Sequence, residues 1–72
     1  MSKQDKYICR VIWGNIRKVQ YIQNMSLSQL AAILCVSERS VYNYDAEPEK
    51  LTLNRVQLFM EATGVSMEYL MM

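Results

Sequence analysis

The sequence predicts an all-α fold, one compact bundle of about five helices, and three observations carry that prediction. The 72 residues hold one Pro and two Gly, too few turn formers for a β architecture. Apolar residues recur at intervals of three and four within each segment between polar breaks. A Ser or Thr stands just before most of those segments, where its side-chain oxygen can satisfy the open amides of a helix start. At this length a chain buries only about 60% of its unfolded surface, which favours a single core and a single domain over residues 1–72. An apolar fraction of 51% supplies that core and argues against disorder.

The first helix is expected from Asp5 to about Gln23, with Ile8, Ile12, Ile16 and Val19 forming its buried stripe. Gly14 costs about 1 kcal/mol relative to Ala in a helix interior, so its place beside Trp13 predicts close packing there. Arg17 and Lys18 fall off the stripe, onto a solvated face or toward a phosphate. Asn24 and Met25 close the helix, Met25 as an apolar plug. The second helix opens with Ser26 and Gln29, the spacing of a reciprocal capping box. Leu30, Ala31 and Leu34 then point inward, and small Ala31 and Ala32 admit a crossing helix. Ser37 restarts the chain; Val41 and Tyr44 face the core, and Glu38, Arg39, Tyr42 and Asn43 share the opposite side. Pro48 disfavours helix at the residue before it, so residues 45–50 form an irregular link. Thr52 caps a fourth helix with Leu53, Val56, Phe59, Met60 and Thr63 on its stripe and Gly64 after its end. Ser66 caps a last short helix whose Met67, Tyr69, Leu70, Met71 and Met72 are more apolar than a terminus needs. With Leu58, they are the expected contact with a second copy of the chain.

Composition excludes several function classes. The longest apolar run, Leu30 to Val36, is far short of the roughly 20 residues that span a bilayer, and the start of the chain does not read as a secretory signal. Cys9 and Cys35 are separated by 25 intervening residues with no His in the chain, so zinc-finger and redox-pair spacings are absent and reduced, buried thiols are expected. With no His, no Gly-rich phosphate loop and no clustered carboxylates, an enzyme, a cofactor and a metal site are not expected. Net charge is +1, but it is polarised: residues 1–24 carry +4, residues 25–45 carry −1 and residues 46–72 carry −2. Attraction to phosphate therefore comes mainly from the first helix.

Leu30-Ala31, Leu34, Val36-Ser37, Ser40-Val41, Tyr44-Asp45, Leu53, Val56, Gly64-Val65-Ser66 and Leu70 stand in a distinctive order and spacing. From about Ile12 to Met71 this pattern resembles the phage-repressor and Cro-like (XRE-type) helix-turn-helix family. The resemblance implies a lambda-repressor-like bundle with its helix-turn-helix unit at about residues 26–45, the helix after Ser37 entering the major groove of double-stranded DNA. Arg39 would then chelate a guanine and Asn43 pair with an adenine, while Glu38 accepts from a cytosine and Tyr42 packs on a thymine methyl or reaches a phosphate. Ser28 and the amides beside it, with Ser40, Arg17 and Lys50, are the expected phosphate contacts. The implied role is a sequence-specific transcriptional regulator, homodimeric, cytoplasmic, bacterial or phage-encoded, with no membrane segment and no small-molecule ligand.

The chain departs from the family pattern at four places. Leu27 replaces the usual Gln, Cys35 the usual turn Gly, and Gln20 the usual Arg, so a hydrogen bond from Gln20 to Asp45 is expected where the family has an ion pair. The loop Ala46-Glu47-Pro48-Glu49-Lys50 carries two acids that oppose phosphate binding. These departures keep two other readings open. One is a protein-interaction module that kept the fold, and the other an excisionase-like or architectural protein of a mobile element.

Overall fold

Five α-helices and one short 3-10 turn make up the computed structural model, which describes residues 3–72 and side chains from Tyr7 onward. They are α1 (Lys3–Ile22), α2 (Leu27–Leu34), α3 (Glu38–Ala46), the 3-10 turn Pro48–Lys50, α4 (Leu53–Thr63) and α5 (Met67–Leu70). No strand occurs among the described residues. The charges of Lys3, Asp5 and Lys6 lie outside the described side chains. At 1.5 Å per residue α1 is about 30 Å long and sets the longest dimension of the molecule, 32 Å. The radius of gyration, 11.2 Å, is the value a well-packed chain of this length should have.

Local chemistry fixes the helix starts. Ser26 Oγ accepts from Gln29 N at 3.0 Å while Gln29 Oε1 accepts from Ser26 N at 2.8 Å, the reciprocal box that the spacing predicts. Ser37 Oγ accepts from Ser40 N, and Ser66 Oγ from Tyr69 N, each at 3.1 Å. Thr52 sits at the N-cap of α4 without a side-chain bond, so there the hydroxyl does not contribute. Gly64 ends α4 in the left-handed region at φ 78° and donates to Met60 O, a conformation in which a Cβ is penalised.

The core gathers one side of every α-helix. Ile12, Trp13, Ile16 and Val19 of α1 meet Leu30, Ala31 and Leu34 of α2, Val41 of α3, Val56 and Phe59 of α4 and Leu70 of α5. α2 packs on α3 and α4, while α1 packs on α5 and the 3-10 turn. Two long-range hydrogen bonds lock this arrangement. Asn15 Nδ2 donates to Leu70 O at 2.6 Å, joining α1 to α5. Arg55 Nη1 donates to Leu34 O at 3.1 Å, satisfying a carbonyl at the end of α2 that has no partner within its helix and placing a cation at the negative end of the dipole.

Several expectations need correction. Ile8 and Leu53 lie on the predicted stripes but are 41% and 74% exposed: Leu53 is the first residue of α4, and Ile8 lines an open groove with Met71 and Met72 instead of entering the core. Gly14 is exposed and a Cβ built on it meets nothing within 4 Å, so close packing does not explain it. Ala32 is exposed, and of the two only Ala31 is buried in the core. Cys35 is exposed, not buried, while Cys9 is half-buried. The link after α3 is less irregular than Pro48 suggested. It coils into the 3-10 turn and buries Pro48 and Leu51 against the bundle.

Candidate nucleic-acid interface

α2 and α3 are joined by the three residues Cys35, Val36 and Ser37. The reversal turns on Cys35, whose backbone is left-handed at φ 58° and ψ 42°, a conformation that favours glycine. Its N–H donates to Ala32 O at 3.1 Å and the next N–H, of Val36, reaches Ala31 O at 3.0 Å, so both amides of the turn are satisfied. A non-glycine residue there costs about 1 kcal/mol, which the fold absorbs.

One flank of α3 is clamped and the other is open. Val41 is fully buried, and the Tyr44 ring packs edge-on against Trp13 with centroids 5.1 Å apart. Asp45 accepts from Trp13 Nε1 at 2.7 Å and pairs with Arg17, whose Nε and Nη2 lie 3.2 Å and 3.3 Å from its two carboxylate oxygens. At about 100° per residue, Arg39 lies nearly opposite the mean direction of Val41, Tyr44 and Asp45. Arg39, Tyr42 and Asn43 are accordingly exposed, and Arg39 makes no ion pair or hydrogen bond among the described residues. Glu38, seven residues before Asp45, lies nearly in line with it on the clamped side and is exposed because it stands in the first turn, so it does not share the outward side expected of it. Arg39 and Asn43 are four residues apart, so about 6 Å along the axis, close to two base-pair steps of about 3.4 Å. A helix about 10–12 Å across also matches the roughly 12 Å width of the major groove.

The expected phosphate contacts are more dispersed. Ser28 is exposed in the first turn of α2, beside amides with no intrahelical partner. Ser40 is half-buried and its hydroxyl lies 3.1 Å from that of Ser37. Lys50 pairs with Glu47 at 3.2 Å in an exposed contact, and Arg17 is held by Asp45. A phosphate that drew on Arg17 or Lys50 would compete with a carboxylate already in place.

Gln20 differs from its expected role. It does not bond Asp45; it accepts from Arg17 Nη1 at 2.6 Å and donates from Nε2 to Met25 O at 3.2 Å. Arg17, one turn earlier on α1, supplies the ion pair to Asp45 instead. The sequence did contain a clue to the Trp13–Asp45 bond, since a buried indole N–H needs an acceptor, but not to which acceptor. Beside this network an open cleft of about 670 Å³ lies along the last turns of α1 and the link that follows it. Of its polar walls, Arg17 and Gln20 are already engaged within the fold.

No helix among the described residues is long and apolar enough to cross a membrane, and those residues contain no cluster of metal-binding side chains. Comparison with protein-family models, curated proteins and solved structures gave no match for this chain. Its function must be reasoned from its own residues.

Proposed function

We propose that this chain is a sequence-specific DNA-binding transcriptional regulator of the phage-repressor and Cro-like type, acting as a homodimer on double-stranded DNA. The observation that supports this most is the division of α3. Its inner flank is fixed by Val41, Tyr44 and Asp45, while Arg39, Tyr42 and Asn43 stand outward with no competing partner. Arg39 reads a guanine through O6 and N7 and Asn43 reads an adenine two steps away. Glu38 stands at the positive end of the α3 dipole, which favours its charge, and as a carboxylate it accepts from a cytosine amine and is repelled by phosphate. Ser28 and the amides at the start of α2 anchor the backbone. Incubation with a randomised duplex pool at low salt, followed by sequencing of the retained DNA, tests the reading: an enriched motif supports it.

A second reading is favoured by one observation. Around α3, Arg17 and Lys50 are both paired with acids, and α3 itself carries a single cation, Arg39. So few available cations suit a protein-interaction module that kept the fold, and failure of the duplex pool to bind even at low salt, where phosphate attraction is strongest, would shift the assignment to it.

A further inference from the structure

The side of α1 turned away from the core runs Tyr7, Arg10, Gly14, Lys18 and Tyr21, spaced three or four apart and therefore on one strip. All five are exposed, the two tyrosines at 69% and 87%. Neither Arg10 nor Lys18 makes an ion pair among the described residues, and α1 has no acidic residue from Tyr7 to Ile22. Gly14 at the centre of the strip has no explanation within the chain. It costs about 1 kcal/mol in helix propensity relative to Ala, its backbone is not left-handed, and a side chain there would meet nothing within 4 Å.

We propose that this strip is a docking surface for an acidic, amphipathic helix of a partner protein, crossing α1 at Gly14. The missing side chain lets the two backbones approach toward the short end of the usual 8–10 Å interaxial distance. Arg10 and Lys18 lie eight residues apart, about 12 Å along the axis, so they flank a crossing helix of about 10–12 Å diameter and meet its carboxylates on both sides. The tyrosine rings cover its apolar positions and keep their hydroxyls in water.

Charge argues against a second copy of this chain as the occupant. A symmetric α1–α1 crossing at Gly14 sets Arg10 against Arg10 or against Lys18 of the other copy, which is repulsive either way. Geometry argues against the duplex proposed for α3. Tyr44 and Asp45 hold the flank of α3 opposite Arg39 against α1, so a rigid duplex on Arg39 lies on the far side of α3 from α1. The docking surface therefore stands apart from the DNA reading and does not depend on it.

The test uses the full chain, isotope-labelled for NMR, and a synthetic helical peptide with Glu flanking a central Ala and Leu at its outer positions. Shifts confined to the Tyr7–Tyr21 strip support the proposal, as does a loss of about tenfold or more in affinity in Arg10→Glu and Lys18→Glu. Gly14→Leu should weaken binding to a similar degree while leaving thermal unfolding no worse, since the added side chain meets nothing in the chain itself. Equal binding of the same peptide with Gln for Glu, unchanged affinity in Gly14→Leu, or no shift on the strip would each overturn it. Stronger shifts of the strip by a short DNA duplex than by the peptide would also overturn it, assigning the face to nucleic acid.

Discussion

Asp45 joins α3 to α1, and replacing it shows how much of the fold depends on that joint. Asp45→Ala removes the acceptor of a Trp13 N–H that is otherwise buried with its ring, 4% exposed, and leaves Arg17 with Gln20 alone. A buried donor left without a partner costs about 1–3 kcal/mol, and because the Asp45 side chain is 37% exposed, water reaches the vacated place and the lower half of that range applies. The ion pair, with Arg17 33% exposed, adds no more than about 1 kcal/mol. An acid in the last turn of α3 opposes the helix dipole, and its removal returns a few tenths of a kcal/mol, roughly 0.3. The expected net loss is about 2 kcal/mol, or a drop in midpoint temperature of about 8–16 °C for a domain of this size. Asp45→Asn keeps an oxygen for Trp13 and should lose roughly half as much. Urea titration followed by fluorescence suits the measurement, since Trp13 is the only indole and reports this joint directly. An Asp45→Ala variant within about 0.5 kcal/mol of the parent, or an Asn variant worse than the Ala one, would refute the reasoning.

Three further outcomes follow from the same structure. Cys35→Gly should stabilise the chain by up to about 1 kcal/mol, because glycine adopts φ 58° without a Cβ penalty; a destabilised variant in denaturant titration would argue against a left-handed turn. Gly14→Ala should raise stability by about 1 kcal/mol through helix propensity alone, read by the same titration, as its Cβ meets open space. Phe59→Ala, in a fully buried site, should cost about 3–5 kcal/mol and leave the chain partly unfolded by circular dichroism at room temperature.

The sequence was most legible where structure is decided locally. Ser26 with Gln29, Ser37, Ser66 and Gly64 each mark a helix end through bonds that span at most four residues, and all four are found where their spacing put them. The inward sides of α2 and α3 were equally plain, since periodicity alone directs Leu30, Leu34 and Val41 into the core. Periodicity gives direction but not depth of burial, which is why Ile8 and Leu53 sit on the right side of their helices and still meet water. The Arg17–Asp45 and Trp13–Asp45 contacts join residues 28 and 32 apart, and no local pattern announces such pairs. Their consequence reaches the candidate site, because a cation expected to be available to phosphate turns out to serve the packing of α3. The Lys50–Glu47 pair, three residues apart, was within reach of a spacing argument.

The most direct test of DNA reading by α3 is the affinity of Arg39→Ala for the sequence enriched from a random duplex pool, measured beside the parent chain at the same salt. Arg39 is exposed and bonds nothing among the described residues, so its removal should leave folding unchanged. A bidentate contact to guanine is worth about 1–3 kcal/mol, so the reading predicts a loss of roughly 5- to 150-fold for the enriched site and relaxed preference at one base pair. A pool that yields no enriched sequence, or an Arg39→Ala chain that binds the enriched site as tightly as the parent, would contradict it.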